Sequence, residues 1–219
     1  MRYRSVTVNN GQVEQEDAPL SVLKKPSQAR SLATFANILD AATDIILERG
    51  VKGLNTNLVA ERAGINIGTL YHYFPNKNAI LSELFGIQQS RRDDVLFEKL
   101  DALPDTPDVR RWTTELFEII RQLRAGEPTT LPLRRAFNSV PELAELDRVA
   151  TNRYAEHLAG LLSQRFAGIE PRQGHAMANL LIAITLAVLD SPMVEGVDSE
   201  CFITEAVRLV GAYADELER

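Results

Sequence analysis

The sequence predicts an all-α protein of about nine helices, and three observations predict it. Apolar residues recur at three- and four-residue spacing along most of the chain. Glycine and proline fall between those periodic runs rather than inside them. No run of alternating apolar and polar residues is long enough to read as a strand.

The elements follow in order. Residues 1–26 mix Asn, Gln, Glu, Asp and Pro without a sustained period and read as a flexible N-terminal tail. From Ser27 a helical face appears, carried by Phe35, Ile38, Leu39, Ala42, Ile45 and Ile46. Arg49 suits the negative end of that helix, and Gly50 suits a left-handed cap beyond it. Two very short helices come next. Asn55 caps one that runs to Ala63 and stops at Gly64; Asn66 caps another that runs to about Phe74 and stops at Pro75. Asn76 then opens a longer helix with Ile80, Leu81, Leu84 and Phe85, which continues through Arg91 and Arg92. The helices beyond it are separated at Pro104 and Pro107, at Gly126 and Pro128, at Gly168 and Pro171, and at Ser191 and Pro192. This gives a domain over 27–91 and a larger one over 92–219.

Composition narrows the class. With 45% hydrophobic residues in 219, the chain buries a real core. A single cysteine, Cys201, excludes an intramolecular disulfide framework and suits a reducing cytoplasm, where the chain is expected. The N-terminus lacks the apolar region of a secretory signal, and the longest apolar run, Leu180 to Leu189, is too short to span a bilayer. The net charge is −6, but segments 1–26, 27–90 and 91–219 carry +1, 0 and −7. The acidity therefore sits behind the short helices, and the N-terminal part can still approach a polyanion. A nucleophile elbow, a Gly-rich phosphate loop and paired metal ligands are all missing, which argues against an enzyme and against a metal or cofactor.

Residues 55–74 carry the function. Two short helices that cross closely need a small residue at the crossing and a permissive one at the bend; Ala60 and Gly64 supply these. Val59, Ala63, Ile65, Leu70 and Tyr73 fall where such a unit faces its own core. The outward face of the second helix holds Asn66, Ile67, Gly68, Thr69, Tyr71 and His72, which are small, polar or aromatic and almost uncharged. An ordinary solvated face would carry Glu and Lys. Side chains of this kind reach phosphates and base edges, Gly68 permits close approach to a duplex, and capped helix N-termini offer N–H groups to phosphate oxygens. His72 has no second ligand at i+3 or i+4, so it reads as a groove contact rather than a metal ligand.

The run Ala63-Gly64-Ile65-Asn66-Ile67-Gly68-Thr69-Leu70-Tyr71-His72-Tyr73-Phe74-Pro75-Asn76-Lys77 resembles the signature of the TetR family of bacterial transcriptional regulators. Leu54-Asn55-Thr56-Asn57 followed by Val59-Ala60-Glu61-Arg62 is similar to the run that opens that family's second helix. The likeness is specific over about residues 31–91 and only architectural beyond. It implies an N-terminal three-helix, helix-turn-helix DNA-binding domain and a C-terminal helical ligand-binding and dimerisation domain. It also implies that Tyr73 and Lys77 meet backbone phosphate, that Thr69, Tyr71 and His72 face the major groove, and that Asn55, Thr56 and Asn57 sit where the preceding helix meets phosphate. Leu58 departs from the pattern, since many similar sequences carry a basic or polar residue there.

In the C-terminal part the same resemblance places a small-molecule effector of unknown identity among the middle helices, with Trp112, Phe117, Phe137, Tyr154, His157 and His175 as candidate pocket residues. The last two helices, around 174–189 and 201–217, are apolar beyond what one small domain covers. The resemblance pairs them with their counterparts in a second subunit, through Ala176, Leu180, Ala183, Ala187, Val207, Val210 and Gly211. The expected molecule is a homodimer that binds double-stranded DNA at a pseudo-palindromic operator, its reading heads about 34–36 Å apart. It would act as a repressor released by its effector, with an activator or a regulator controlled by a partner protein as the alternative and a helical enzyme as a remote one.

Overall fold

A computed structural model describes residues 20–129, 132–133, 140–190 and 199–217, with the side chains of 124, 189–190 and 199–200 left aside. Among the described residues there are eight α-helices, one 3-10 turn and no strand. The helices are α1 (Ala29–Arg49), α2 (Thr56–Arg62), α3 (Ile67–Tyr73), α4 (Lys77–Asp101), α5 (Val109–Ala125), α6 (Pro141–Arg165), α7 (Pro171–Asp190) and α8 (Ser199–Leu217). The extra 3-10 turn, Val51–Gly53, fills the space between α1 and α2. The chain divides into two compact units, Met1–Glu83 and Leu84–Arg219, and the division falls inside α4.

In the first unit, α1 buries Ile38, Leu39, Ala42, Ile45 and Ile46 on one face. α2 adds Val59 and Ala60, and α3 adds Leu70. Phe35 of α1 stacks on Phe74 at 5.0 Å between ring centroids and meets Tyr73 edge-on at 5.8 Å. Gly64 has φ of +66°, so the bend between α2 and α3 uses the backbone conformation that glycine tolerates best. The α1 cap also bends this way, with Gly50 at φ +68°.

The second unit is a bundle in which α6 packs along α7, and α8 packs on both α5 and α7. Its core gathers Leu100, Leu103, Trp112, Leu158, Leu161, Leu162, Phe166 and Met177. The Trp112 indole N–H donates to the Lys99 carbonyl at 2.9 Å, which satisfies its polar atom inside the core. A smaller cluster of Phe117, Val188 and Ala206 closes the α5–α7–α8 side.

Candidate nucleic-acid interface and ligand cavity

The helix-turn-helix is built by its caps. Asn55 Oδ1 accepts the Leu58 N–H at 2.9 Å and starts α2; Asn66 Oδ1 accepts the Thr69 N–H at 2.7 Å and starts α3. Asn76 does the same for α4, accepting from Ala79 at 2.8 Å. Each cap satisfies one of the donors that a helix start leaves open. α3 has seven residues, and its sides divide cleanly. Leu70 is fully buried and Tyr73 is 7% exposed, whereas Asn66, Ile67, Gly68, Tyr71 and His72 are exposed and Thr69 is half-buried. The Thr69 hydroxyl donates to Asn66 Oδ1 at 3.1 Å, so part of its polarity is held within the cap. A methyl group at Gly68 would stand 3.3 Å from Asn66 Oδ1, so the cap also favours glycine there.

Tyr71 and Thr56 share a hydrogen bond of 3.1 Å between their hydroxyls, which ties the start of α2 to the exposed side of α3. Asn57 and Lys77 are exposed, and Thr56 is half-buried. Arg62 is engaged within the unit. It forms a two-pronged pair with Glu48 at 2.5 and 2.8 Å, and its guanidinium holds that carboxyl below the usual carboxylate range. The exposed face of α3 therefore combines hydroxyl, imidazole, amide and apolar groups on a helix narrow enough for a major groove.

The second unit holds a cavity of about 140 Å³, some ten times the space one water needs. Leu96, Leu116, Phe117, Ile120, Leu158, Leu181 and Leu186 make most of its wall, and Trp112 and Tyr154 also line it. Gln89, Arg92, Asp147 and Thr151 supply polar groups that sequence reasoning missed. Gln89 donates to Tyr154 Oη at 2.9 Å and to Asp93 at 3.1 Å, while the Tyr154 phenol donates to Asp93 at 2.5 Å. Arg92 donates to the Gln89 amide oxygen at 3.0 Å, and Arg153 pairs with Asp93 at 3.1 Å. Burial, then the hydrogen bond to Asp93, push the Tyr154 phenol well above the ordinary tyrosine range. Two threonines turn their hydroxyls onto their own helices, Thr113 onto the Val109 carbonyl and Thr185 onto that of Leu181.

Of the six candidate pocket residues, Trp112, Phe117 and Tyr154 line this cavity. His157 instead stands outside it, paired with Asp101 at 2.6 Å and edge-on to Phe97. His175 is exposed, its Nδ1 on the Pro171 carbonyl oxygen at 2.8 Å. Phe137 lies outside the described residues. The candidate dimer residues divide as well. Ala176, Leu180, Ala183 and Ala187 share an exposed stripe of α7. Val207 is half-buried, Val210 is buried and lines the cavity, and Gly211 is buried against Arg110 of α5. Val210 and Gly211 are thus interior residues of their own subunit, because that face of α8 is the one that packs on α5.

Among the described residues no cluster of His, Cys, Asp or Glu could hold a metal ion, and no helix is long and apolar enough to cross a membrane. A two-helix unit with an exposed, uncharged second helix, joined to a helical unit with a cavity, is the arrangement expected of a helix-turn-helix transcriptional regulator. The model for bacterial regulatory proteins of the tetR family matches residues 38–84. Over that span, which holds the helix-turn-helix, the chain is similar to the tetR family. It is 27% identical over 182 residues to the HTH-type transcriptional regulator BetI of Escherichia coli, covering 77% of this chain and 91% of that protein. It is 28% identical over 154 residues to the HTH-type transcriptional repressor KstR of Rhodococcus jostii, covering 68% and 65%. A more local match, 35% identical over 68 residues, covers 31% of this chain and 35% of BetI from Klebsiella pneumoniae. In structure it is similar to the transcriptional regulator FadR of Bacillus subtilis in complex with stearoyl-CoA. The TM-score is 0.58 at 19% identity, over 81% of this chain and 97% of that one.

Proposed function

We propose that the protein is a homodimeric repressor, which binds a pseudo-palindromic operator through residues 27–91 and releases it when a small molecule occupies residues 92–219. The observation that carries this reading is the exposed face of α3, where Tyr71, His72, Gly68 and Ile67 stand in solvent without an acidic or lysine side chain among them. Tyr71 and His72 would read base edges. Asn55, Asn57 and Lys77 would meet phosphates, and Tyr73 would reach a phosphate only through its hydroxyl, since its ring belongs to the core.

The cavity supports the second half of the reading. Its wall is mostly apolar, and Gln89, Arg92, Asp147, Thr151 and Tyr154 add polar groups to it, one charge of each sign among them. The effector that suits it is a largely apolar molecule with one or two hydrogen-bonding groups. Similarity to KstR, named a repressor, and to FadR, solved with stearoyl-CoA, favours repression relieved by an apolar metabolite. Gln89 and Arg92 lie on α4, which also carries residues of the first unit, so occupancy would act on that helix.

Selection of bound fragments from a random duplex library tests the DNA half. The expected result is an enriched inverted repeat with half-sites about one helical turn apart. Recovery of no preferred sequence would overturn the regulator reading. Once the operator is known, an effector found by thermal shift must weaken operator binding by the same factor by which operator weakens effector binding.

A further inference from the structure

The described residues ahead of α1, 20–28, stay beside the reading helix. The Leu23 N–H donates to the Tyr73 carbonyl oxygen at 2.8 Å, taking up one of the acceptors that the C-terminal end of α3 leaves open. Val22 and Pro26 on either side are half-buried, while Lys24 and Lys25 are exposed. Lys77, the first residue of α4, is exposed as well and follows Tyr73 by four residues. Among the described residues none of these three lysines takes part in an ion pair. Arg62, by contrast, is held by Glu48. Three exposed cations, without an acidic partner among the described residues, therefore stand within four residues of Leu23 or Tyr73, the pair that joins this segment to the end of α3.

We propose that Lys24 and Lys25, held against α3 by the Leu23–Tyr73 hydrogen bond, form a second phosphate-binding element that grips the duplex backbone beside the groove read by α3. The proposal rests on the reading of α3 as the groove-entering helix. The chemistry is that of a cation pair on a short tether. Each lysine that meets a phosphate displaces a condensed counterion, so its contribution is independent of sequence and falls with salt. The backbone hydrogen bond matters because it fixes where those charges stand. Without it the lysines would belong to a loose leader, and ordering that leader on DNA would cost conformational entropy. A competing explanation is local. Lysines near the C-terminal end of a helix also favour its dipole, but that effect acts on stability and does not need a duplex.

The test uses the full chain and the operator recovered by the selection above, with affinity followed by fluorescence anisotropy between about 50 and 200 mM salt. For K24A/K25A the logarithmic salt slope should flatten by about 0.9 for each phosphate left without its lysine, hence about 1.8 per protomer. Affinity should fall equally on operator and scrambled duplex, with the preferred sequence and the thermal midpoint unchanged. Leu23→Pro removes the donor N–H while keeping both charges, and it should also weaken binding to the operator. A K24A/K25A protein with the wild-type slope overturns the proposal while the groove reading stands. So does a variant that loses thermal stability but no DNA affinity, and a Leu23→Pro protein that binds as wild type removes the tether. If the wild-type chain binds no duplex, the groove reading itself has failed.

Discussion

Three asparagines decide where α2, α3 and α4 start, and they do so with one piece of chemistry. Asn55, Asn66 and Asn76 each turn Oδ1 onto the N–H three residues ahead. At Asn66 this cap has a second duty, since it also takes the Thr69 hydroxyl and lies on the exposed face that we propose meets DNA. The two duties separate by substitution. Asn66→Ala should destabilise the protein by about 1 kcal/mol, because the Thr69 N–H loses its acceptor, and Asn66→Ser should recover most of that. Asn66→Asp keeps the cap but places a negative charge where a phosphate would approach. It should therefore hold the urea midpoint and lose operator affinity. If Asn66→Asp and Asn66→Ala fall equally in stability, the side chain is not acting as a cap.

At the scale of elements, the sequence is most legible where a single residue type has a single physical use. Asn before a periodic run, Gly at the α2–α3 bend and Pro after α3 place the short helices to within a residue. The face of α1 is readable for the same reason, since only one of its sides is apolar. α8 is not, because it has two apolar sides. Ala206, Val210 and Ala214 turn inward, while Phe202, Leu209 and Tyr213 turn out, and both sets satisfy helical spacing. Periodicity finds an apolar stripe but not its partner, and Val210 and Gly211, which the resemblance pairs with a second subunit, are buried within the chain itself. The cavity is hidden differently. His157 and His175 stand out in the sequence as polar residue types in the right region, whereas the polar lining comes from Gln89 and Arg92 of α4 and Asp147 and Thr151 of α6, which meet only through packing. The α4–α6 link makes its own prediction. The Tyr154 phenol is held neutral by burial and by its bond to Asp93, so its folded-state pKa lies above the unfolded value near 10. In that case the folded state keeps its proton longer than the unfolded state does, and stability is retained below about pH 10 and falls as pH rises beyond it. Thermal midpoints measured from pH 9 to 11 should drop less steeply in Tyr154→Phe than in the wild type. Identical slopes would mean the phenol is not coupled to Asp93 in solution.

For the whole molecule the open question is what covers α7 and α8. Leu180 is 56% exposed and Leu209 62% exposed, and Ala176, Ala183 and Ala187 extend the α7 stripe at helical spacing. Burying the exposed part of each leucine would contribute about 1–2 kcal/mol, and twofold symmetry counts every such residue twice. The alanines leave room for a facing helix to come close. A self-complementary contact through this stripe is the reading that also gives the DNA-binding units a symmetric pair of half-sites. Leu180→Glu with Leu209→Glu should convert the protein to a monomer in sedimentation velocity without changing its far-ultraviolet circular dichroism, since both side chains are exposed within the subunit. Operator affinity should then fall by on the order of 10²–10⁴, because the second half-site is no longer delivered by the first. A single half-site, which only one reading head contacts, should be bound about as well as before. A variant that stays dimeric would place the interface on another face, and one that is monomeric yet binds the full operator undiminished would mean that each protomer reads DNA alone.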